Sequence, residues 1–411
     1  MSKKSIQNGQ KNYPRCLKFL NNSSRNTVLA YESSISKYEE FHNSSIEELI
    51  REALDEQTNQ VPNHLLKIIE RIEDFQDYLV GQDLVYGTIN SHITRIKTIY
   101  HKNRVLVPYI EPLNAKQIRR NPIIEFSDIL TKDELRKILP LTRLPIRARM
   151  MTMIQGGLSN EECEHLTLQS FIEETYKHHQ CDDVIDALEW LADVNHPIIW
   201  VTKLIRIKTG KPYYALIGSE AVNTIASAKL YEMDIKGEMA DKLLNTHKIS
   251  INRSCARINE RLNLGKAGGM NRLRPHSLRK FNATYISGSA LNYEEHSIIT
   301  NAEIDEMQGR GKTAVQDTYI KTNPIRQKVL YAKVMNNVSL WHEYDYAIVD
   351  DDVQVFLVDQ QKENERLKKE VKNLEHQLEN KKRNSEKINN LRKELGEDTF
   401  RELVQGILNA S

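Results

Sequence analysis

The run Arg274-Pro275-His276-Ser277-Leu278-Arg279-Lys280, followed about forty residues later by Tyr319, decides how this chain is read. Pro275 suits the first turn of a helix, where its missing N–H costs nothing. His276 and Arg279 then stand at i and i+3 and project to the same side. Such a face suits a phosphate, because a guanidinium fork holds two phosphate oxygens while an imidazole moves a proton. A phenol, with a pKa of about 10, is a poor nucleophile near neutral pH. Cationic and proton-accepting company around Tyr319 would favour the phenolate.

The rest of the chain bounds the setting. Its 411 residues, 39% hydrophobic and 28% charged, suffice for two or three domains with real cores. No apolar run approaches the roughly 20 residues of a membrane helix, and the start Met1-Ser2-Lys3-Lys4-Ser5-Ile6-Gln7 lacks the apolar stretch of a signal peptide. A soluble cytoplasmic protein is expected. The net charge of +2 does not by itself announce nucleic acid, but its distribution is uneven. Lys3, Lys4, Lys11, Arg15, Lys18 and Arg25 precede the first acidic residue, Glu32, and Lys266, Arg272, Arg274, Arg279 and Lys280 form a second basic group. A solvated face explains such runs equally well. Cys16, Cys163, Cys181 and Cys255 have no paired spacing, so no disulfide framework is expected. His178, His179, Cys181 and Asp182 cluster but lack a second ligand pair, and no metal is expected. Gly265-Lys266-Ala267-Gly268-Gly269 reads as a flexible loop without the Gly-Lys-Ser/Thr ending of a phosphate-binding loop, so neither a nucleotide nor another cofactor is implied.

Periodicity predicts helices over residues 24–42 (Val28, Tyr31, Ile35, Tyr38, Phe41 inward), from Leu65 to Leu79, and from Thr88 to Tyr100 (Ile89, Ile93, Ile96, Ile99 inward). His92, Arg95, Lys97 and Lys102 are read as outward-facing candidates for phosphate contact. Pro108, Pro112 and Pro122 mark residues 108–125 as an extended linker. A second domain starts near Phe126, with Thr131-Lys132-Asp133-Glu134 opening a helix. Helices follow from Arg147 to Gln155 and around Val184 to Leu191. Ile198–Val201, Leu204–Ile207 and Tyr213–Ile217 read as strands, with Thr209-Gly210 turning the last hairpin. Beyond residue 350, Leu357, Asn364, Val371 and Leu378 recur every seven residues, with Leu367, Leu374, Ile388 and Leu395 in the companion register. That pattern predicts a short coiled coil, interrupted at Lys381 and Ser385; a single charged helix packed on its own domain is the alternative.

Together these residues resemble the tyrosine recombinase (phage integrase) family, in the style of archaeal integrases, over roughly residues 20–330. Arg274 to Lys280 is similar to that family's His-x-x-Arg box. Gln308-Gly309-Arg310-Gly311 resembles its Leu-Gly-His-Ser box, Tyr319 follows at the nucleophile's spacing, and Arg206-Ile207-Lys208-Thr209-Gly210-Lys211-Pro212 resembles the β-hairpin with the catalytic lysine. Four boxes in order carry more weight than any alone. The resemblance implies a mainly α (α+β) fold. A basic tail (1–22) would precede a helical DNA clamp (23–107) and the linker (108–125). A mostly helical catalytic domain with a small sheet (126–345) would follow, then the coiled-coil end (350–411). It implies attack of Tyr319 on a DNA phosphodiester, giving a 3′-phosphotyrosyl enzyme and a free 5′-hydroxyl without metal or ATP, since the covalent intermediate keeps the bond energy. Arg279 would hold the non-bridging oxygens, His276 would transfer a proton, and Lys208, with Lys211 as rival, would protonate the leaving oxygen. Arg95, Lys97, Arg274 and Lys280 would contact double-stranded DNA, and the active form would be a homo-oligomer, a tetramer on paired sites.

Two departures from the pattern matter. Arg310 stands where the family usually has His or Trp. The family's first catalytic arginine follows a Gly-Leu or Gly-Met pair, yet the run Gly156-Gly157-Leu158-Ser159-Asn160-Glu161-Glu162-Cys163-Glu164-His165-Leu166 contains none, with Ser159 or Asn160 in its place. Loss of such a clamp is expected to cost several kcal/mol of transition-state stabilisation, by analogy with about 3–4 kcal/mol for one oxyanion donor. Arg147 and Arg149 lie two or three turns upstream, so Arg310 is expected to complete the clamp with Arg279. The competing readings are a catalytically impaired DNA-binding relative and a coiled-coil scaffold unrelated to DNA.

Overall fold

Runs of apolar residues at spacings of three and four, each headed by a hydroxyl or an extended residue, build the first half of the chain. In α1 (Arg25–His42) the Ser24 side chain accepts from Thr27 N, and Ile35 and Tyr38 turn inward. α2 (Ile46–Thr58) begins with a reciprocal cap, Ser45 Oγ accepting from Glu48 N at 3.3 Å and Glu48 Oε2 from Ser45 N at 2.9 Å. α3 (Lys67–Gly81) and α4 (Tyr86–Lys102) follow, but the helix expected from Leu65 starts only at Lys67: Leu65 ends a short 3-10 turn and is 62% exposed, and Ile68 is buried in α3. The computed structural model describes residues 14–114, 116, 118–120, 122–193, 195, 197–288, 299–310, 323–345, 351–396, 398–399, 401–402 and 404–405. The chain divides into two compact units, Met1–Ile123 and Ile124–Ser411.

In the first unit Ile72, Phe75, Leu79, Ile89, Ile96 and Ile99 are wholly buried, and Tyr38 and Tyr100 meet hydroxyl to hydroxyl at 3.2 Å. His92 is a correction: it is 6% exposed, with Nδ1 2.9 Å from the buried Ser34 Oγ. It lies at i+3 from Ile89 and i−4 from Ile96, which puts it on the inward face. Of residues 108–125, those before Ile124 count with the first unit. Ile110 is buried, Tyr86 N donates to Arg119 O at 2.9 Å, and Arg119 pairs with Asp83 at 2.6 Å.

The second unit is organised around α6 (Leu144–Gly156), buried on every side from Ala148 to Gly156. Around it come α5 (Lys132–Ile138), α7 (Leu168–His179), α8 (Val184–Ala192), α9 (Ser219–Lys236), α10 (Lys248–Arg261), α11 (Pro275–Ile286), α12 (Asn301–Met307) and α13 (Pro324–Val338). The two stretches 198–201 and 204–207 are not separate strands. They fall in one strand and the turn after it, because β1 (Ile199–Ile205) runs unbroken and pairs antiparallel with β2 (Pro212–Gly218), from Ile199 opposite Gly218 to Ile205 opposite Pro212. The Gly265–Gly269 loop is likewise a tight hairpin, β3 (Lys266–Ala267) against β4 (Met270–Asn271). Buried Glu220 on α9 ties down the chain after α13, accepting from the backbone N–H of Leu340, Trp341 and His342 at 2.6–2.9 Å. Among the described residues the molecule is thus mainly helical with two small antiparallel hairpins.

Beyond these lies α14 (Asp351–Leu395), on which Leu367, Val371, Leu374 and Leu378 are 46–57% exposed. The side chains of Leu357, Asn364, Lys381, Ser385, Ile388 and Leu395 lie outside the described ones. Among the described residues no helix is long and apolar enough to cross a membrane, and no group of three or more His, Cys, Asp or Glu could hold a metal ion.

Candidate active site

A carboxylate organises the site. Glu162 opens a short 3-10 turn (Glu162–His165) just beyond the end of α6 and is 3% exposed. Its backbone N–H donates to Ser159 Oγ at 3.2 Å, and its Oε2 accepts from Ser159 N at 2.7 Å. Oε2 also accepts from Arg279 Nη1 at 3.0 Å, while Oε1 takes Arg206 Nη1 at 3.3 Å. The two arginines share a second acceptor, the Gln308 carbonyl, at 2.5 Å from Arg279 Nη2 and 2.7 Å from Arg206 Nη1. Two guanidinium groups thus converge from α11 and from the end of β1 on one buried negative charge, leaving a surplus of positive charge at its edge.

The acceptor at the second point is held from behind. Gln308 Nε2 donates to Asn282 Oδ1 at 2.7 Å, and Asn282 Nδ2 donates to the carbonyls of Ile154 and Gln155 at 2.9 and 2.8 Å. Gly157 is at φ +61°, and a Cβ there would meet Asn282 Oδ1 at 2.4 Å and Gln308 Nε2 at 2.8 Å, so only glycine fits against this brace. Gly309, at φ +64°, lies so close to the Tyr213 ring that a Cβ would approach it to 2.7 Å. Burial, then the Glu162 charge, holds the Tyr213 phenol far above its ordinary pKa, so it is no nucleophile.

The sequence-derived candidates fall around this core unequally. Arg279 is buried, its pKa lowered first by burial and then by the charges of Arg206 and Arg310, against the opposing pull of Glu162. Arg310 is half-exposed, its Nη1 4.0 Å from Asp305 Oδ1. Burial lowers its pKa against the Asp305 charge, and Arg206 adds to the lowering. His276 stands on the exposed side of the first turn of α11. Burial of part of its ring, then the charges of Lys280, Arg274, Arg310 and Arg279, lower its pKa below 6.5. Arg274 Nη1 is a buried donor without a hydrogen-bond partner among the described residues. Lys208 is exposed in the β1–β2 turn and makes no hydrogen bond or ion pair to the described residues. Arg95 and Lys97 belong to the first unit, where Arg95 Nη1 donates to Ser34 Oγ at 3.3 Å and partial burial lowers the Lys97 pKa. Tyr319 lies outside the described residues.

The residue that the sequence reading passed over is Arg206. It was visible as the first member of the hairpin box, but nothing local says that it turns toward Glu162. Arg149, in contrast, is wholly buried and bound to the Thr246 and Asn160 carbonyls and to Glu164 at 3.3 Å, a structural role on the far side of the same turn. Of the metal-type cluster, Cys181 Sγ donates to the His179 carbonyl and Tyr176 Oη to Asp182.

No family model matches this chain, and no curated protein does. Solved structures similar to it include XerA recombinase, at TM-score 0.31 and 16% identity over 78% of this chain and 96% of that one. The XerH site-specific recombinase bound to difH substrate matches at TM-score 0.42 and 13% identity, covering 76% of this chain and 80% of that one. A lambda integrase dimer bound to a COC' core site matches at 0.41 and 14%, covering 74% and 75%.

Proposed function

We propose that this chain is a site-specific DNA recombinase that cuts and rejoins duplex DNA through a 3′-phosphotyrosyl intermediate, serving to integrate or excise a mobile element or virus of an archaeal kind. The observation that supports it best is the convergence of Arg206 and Arg279 on Glu162, with Arg310, His276, Arg274 and Lys280 around them. A site holding more guanidinium than carboxylate, with a buried arginine donor unspent at Arg274, suits the doubly bonded recognition of a phosphate.

In the reaction the Tyr319 oxygen bonds to phosphorus and the P–O5′ bond breaks. His276, whose pKa is held below 6.5 in the free chain, accepts the phenolic proton, and Lys208 gives one to the departing 5′-oxygen. The arginines neutralise the charge that grows on the non-bridging oxygens. A 5′-hydroxyl of another strand reverses the step, so the phosphodiester count is conserved without ATP or metal. Residues 23–107 act as the DNA clamp, with Arg95 and Lys97 on phosphates, and residues 126–345 as the catalytic domain. The exposed stripe of α14 pairs with that of a second copy, toward a tetramer on paired sites.

Incubation with nicked duplexes drawn from the DNA flanking the gene gives an SDS-resistant protein–DNA adduct that is absent for Tyr319→Phe. Salt-sensitive binding without an adduct supports instead the impaired DNA-binding relative, which the missing arginine at Ser159 or Asn160 favours.

A further inference from the structure

We propose that Arg206 supplies the guanidinium missing from position 159, forming with Arg279 the pair that holds the scissile phosphate. This rests on the strand-cleavage reading above and replaces the expectation that Arg310 completes the clamp.

The geometry is specific. Arg206 uses one nitrogen, Nη1, for both Glu162 and the Gln308 carbonyl, so its Nη2 and Nε make no hydrogen bond to the described residues. Its side chain is 17% exposed against 4% for Arg279, so of the two it is the one with a face left open. Glu162 binds Ser159 N and Arg206 at once, which brings the guanidinium to the turn where the sequence lacks one, reached from the neighbouring hairpin instead of from the turn itself. The hairpin is anchored for this. Arg206 N donates to Lys211 O at 2.8 Å, and Gly210 N returns to Arg206 O at 2.7 Å. Arg310 shares neither acceptor, and its ion partner is Asp305.

The test is single-turnover cleavage of a nicked duplex by the full chain, on two substrates. One carries the ordinary scissile phosphodiester and the other an uncharged methylphosphonate at that position. If Arg206 neutralises the phosphate, Arg206→Ala slows adduct formation about 10²- to 10³-fold on the phosphodiester. On the methylphosphonate the same variant falls within about tenfold of wild type, because the charge it met is gone. Duplex binding of Arg206→Ala, measured alongside, stays within about tenfold and shows that the variant is folded; Glu162 keeps Arg279 and Ser159 N as partners. Arg206→Lys, which keeps the charge without the fork, falls between the two. Equal defects on both substrates, a loss below about threefold, or a larger and substrate-dependent loss for Arg310→Ala would overturn the assignment. If the wild-type chain forms no adduct at all, the strand-cleavage reading fails, and this inference with it.

Discussion

Glu162→Gln probes the centre of the site most directly. The substitution keeps size and shape but removes the negative charge between two guanidinium groups whose side chains are 4% and 17% exposed. Taking one partner from a buried ion pair leaves the other charge unpaired and costs about 3–5 kcal/mol. Here Arg206 and Arg279 are left sharing the Gln308 carbonyl. For a unit of this size about 1 kcal/mol moves Tm by roughly 2–4 °C, so a fall of roughly 6–20 °C is expected by calorimetry. Glu162→Ala falls further, because Ser159 N loses its acceptor as well. The variant also acquires a surplus of fixed positive charge, so inorganic phosphate, which stabilises a folded chain by RT ln(1 + [L]/Kd), raises the Tm of Glu162→Gln more than that of wild type. A Tm within about 2 °C of wild type, or equal phosphate shifts in both proteins, would refute the idea that one carboxylate holds the arginines against each other.

Two further outcomes follow from the same geometry and from α14. His276, with a pKa lowered below 6.5 in the folded chain, binds fewer protons than in the unfolded chain. It therefore contributes nothing above pH 6.5 and drains stability as pH falls from 6.5 through the folded pKa. NMR titration of its imidazole should give a midpoint below 6.5, moving upward when duplex DNA brings phosphates beside it; a midpoint at or above 6.5 in the free protein defeats the electrostatic account. Under the proposed pairing of α14, Leu374→Lys with Leu378→Lys places two cations in the exposed stripe and lowers the sedimentation coefficient of the full chain relative to wild type. An unchanged distribution means that α14 does not mediate assembly.

The parts legible in the sequence were those fixed within one or two helical turns. Pro275 starts α11, the apolar positions Ile35, Tyr38, Ile72, Phe75, Leu79, Ile89, Ile93, Ile96 and Ile99 are buried as spaced, and Gly210, at φ +69°, turns the hairpin. α2 and α7 are likewise marked locally, by the Ser45–Glu48 cap and by Thr167, whose side chain accepts from Ser170 N ahead of Leu168. β1 was split because alternation of burial along Ile199–Ile205 interrupts an apolar run without ending a strand.

The site itself is built of contacts that no local pattern carries. Glu162 and Arg206 are 44 residues apart, and Glu162 and Arg279 are 117 apart. An alignment of boxes along the chain therefore registers a missing arginine at Ser159 as a loss of function, although a motif specifies where a group sits in sequence and catalysis depends on where it sits in space. The turn at 159–162 keeps what such a guanidinium needs, a buried carboxylate whose oxygens can orient it. That requirement can be met from any neighbouring backbone within a side chain's reach. β1 ends within that reach, and an arginine, with five donors in a fixed fork, can spend one nitrogen on Glu162 and the Gln308 carbonyl and still offer two to a substrate. The proposal for Arg206 thus rests on one buried carboxylate, Glu162, reached by a guanidinium from the neighbouring strand and not from its own turn.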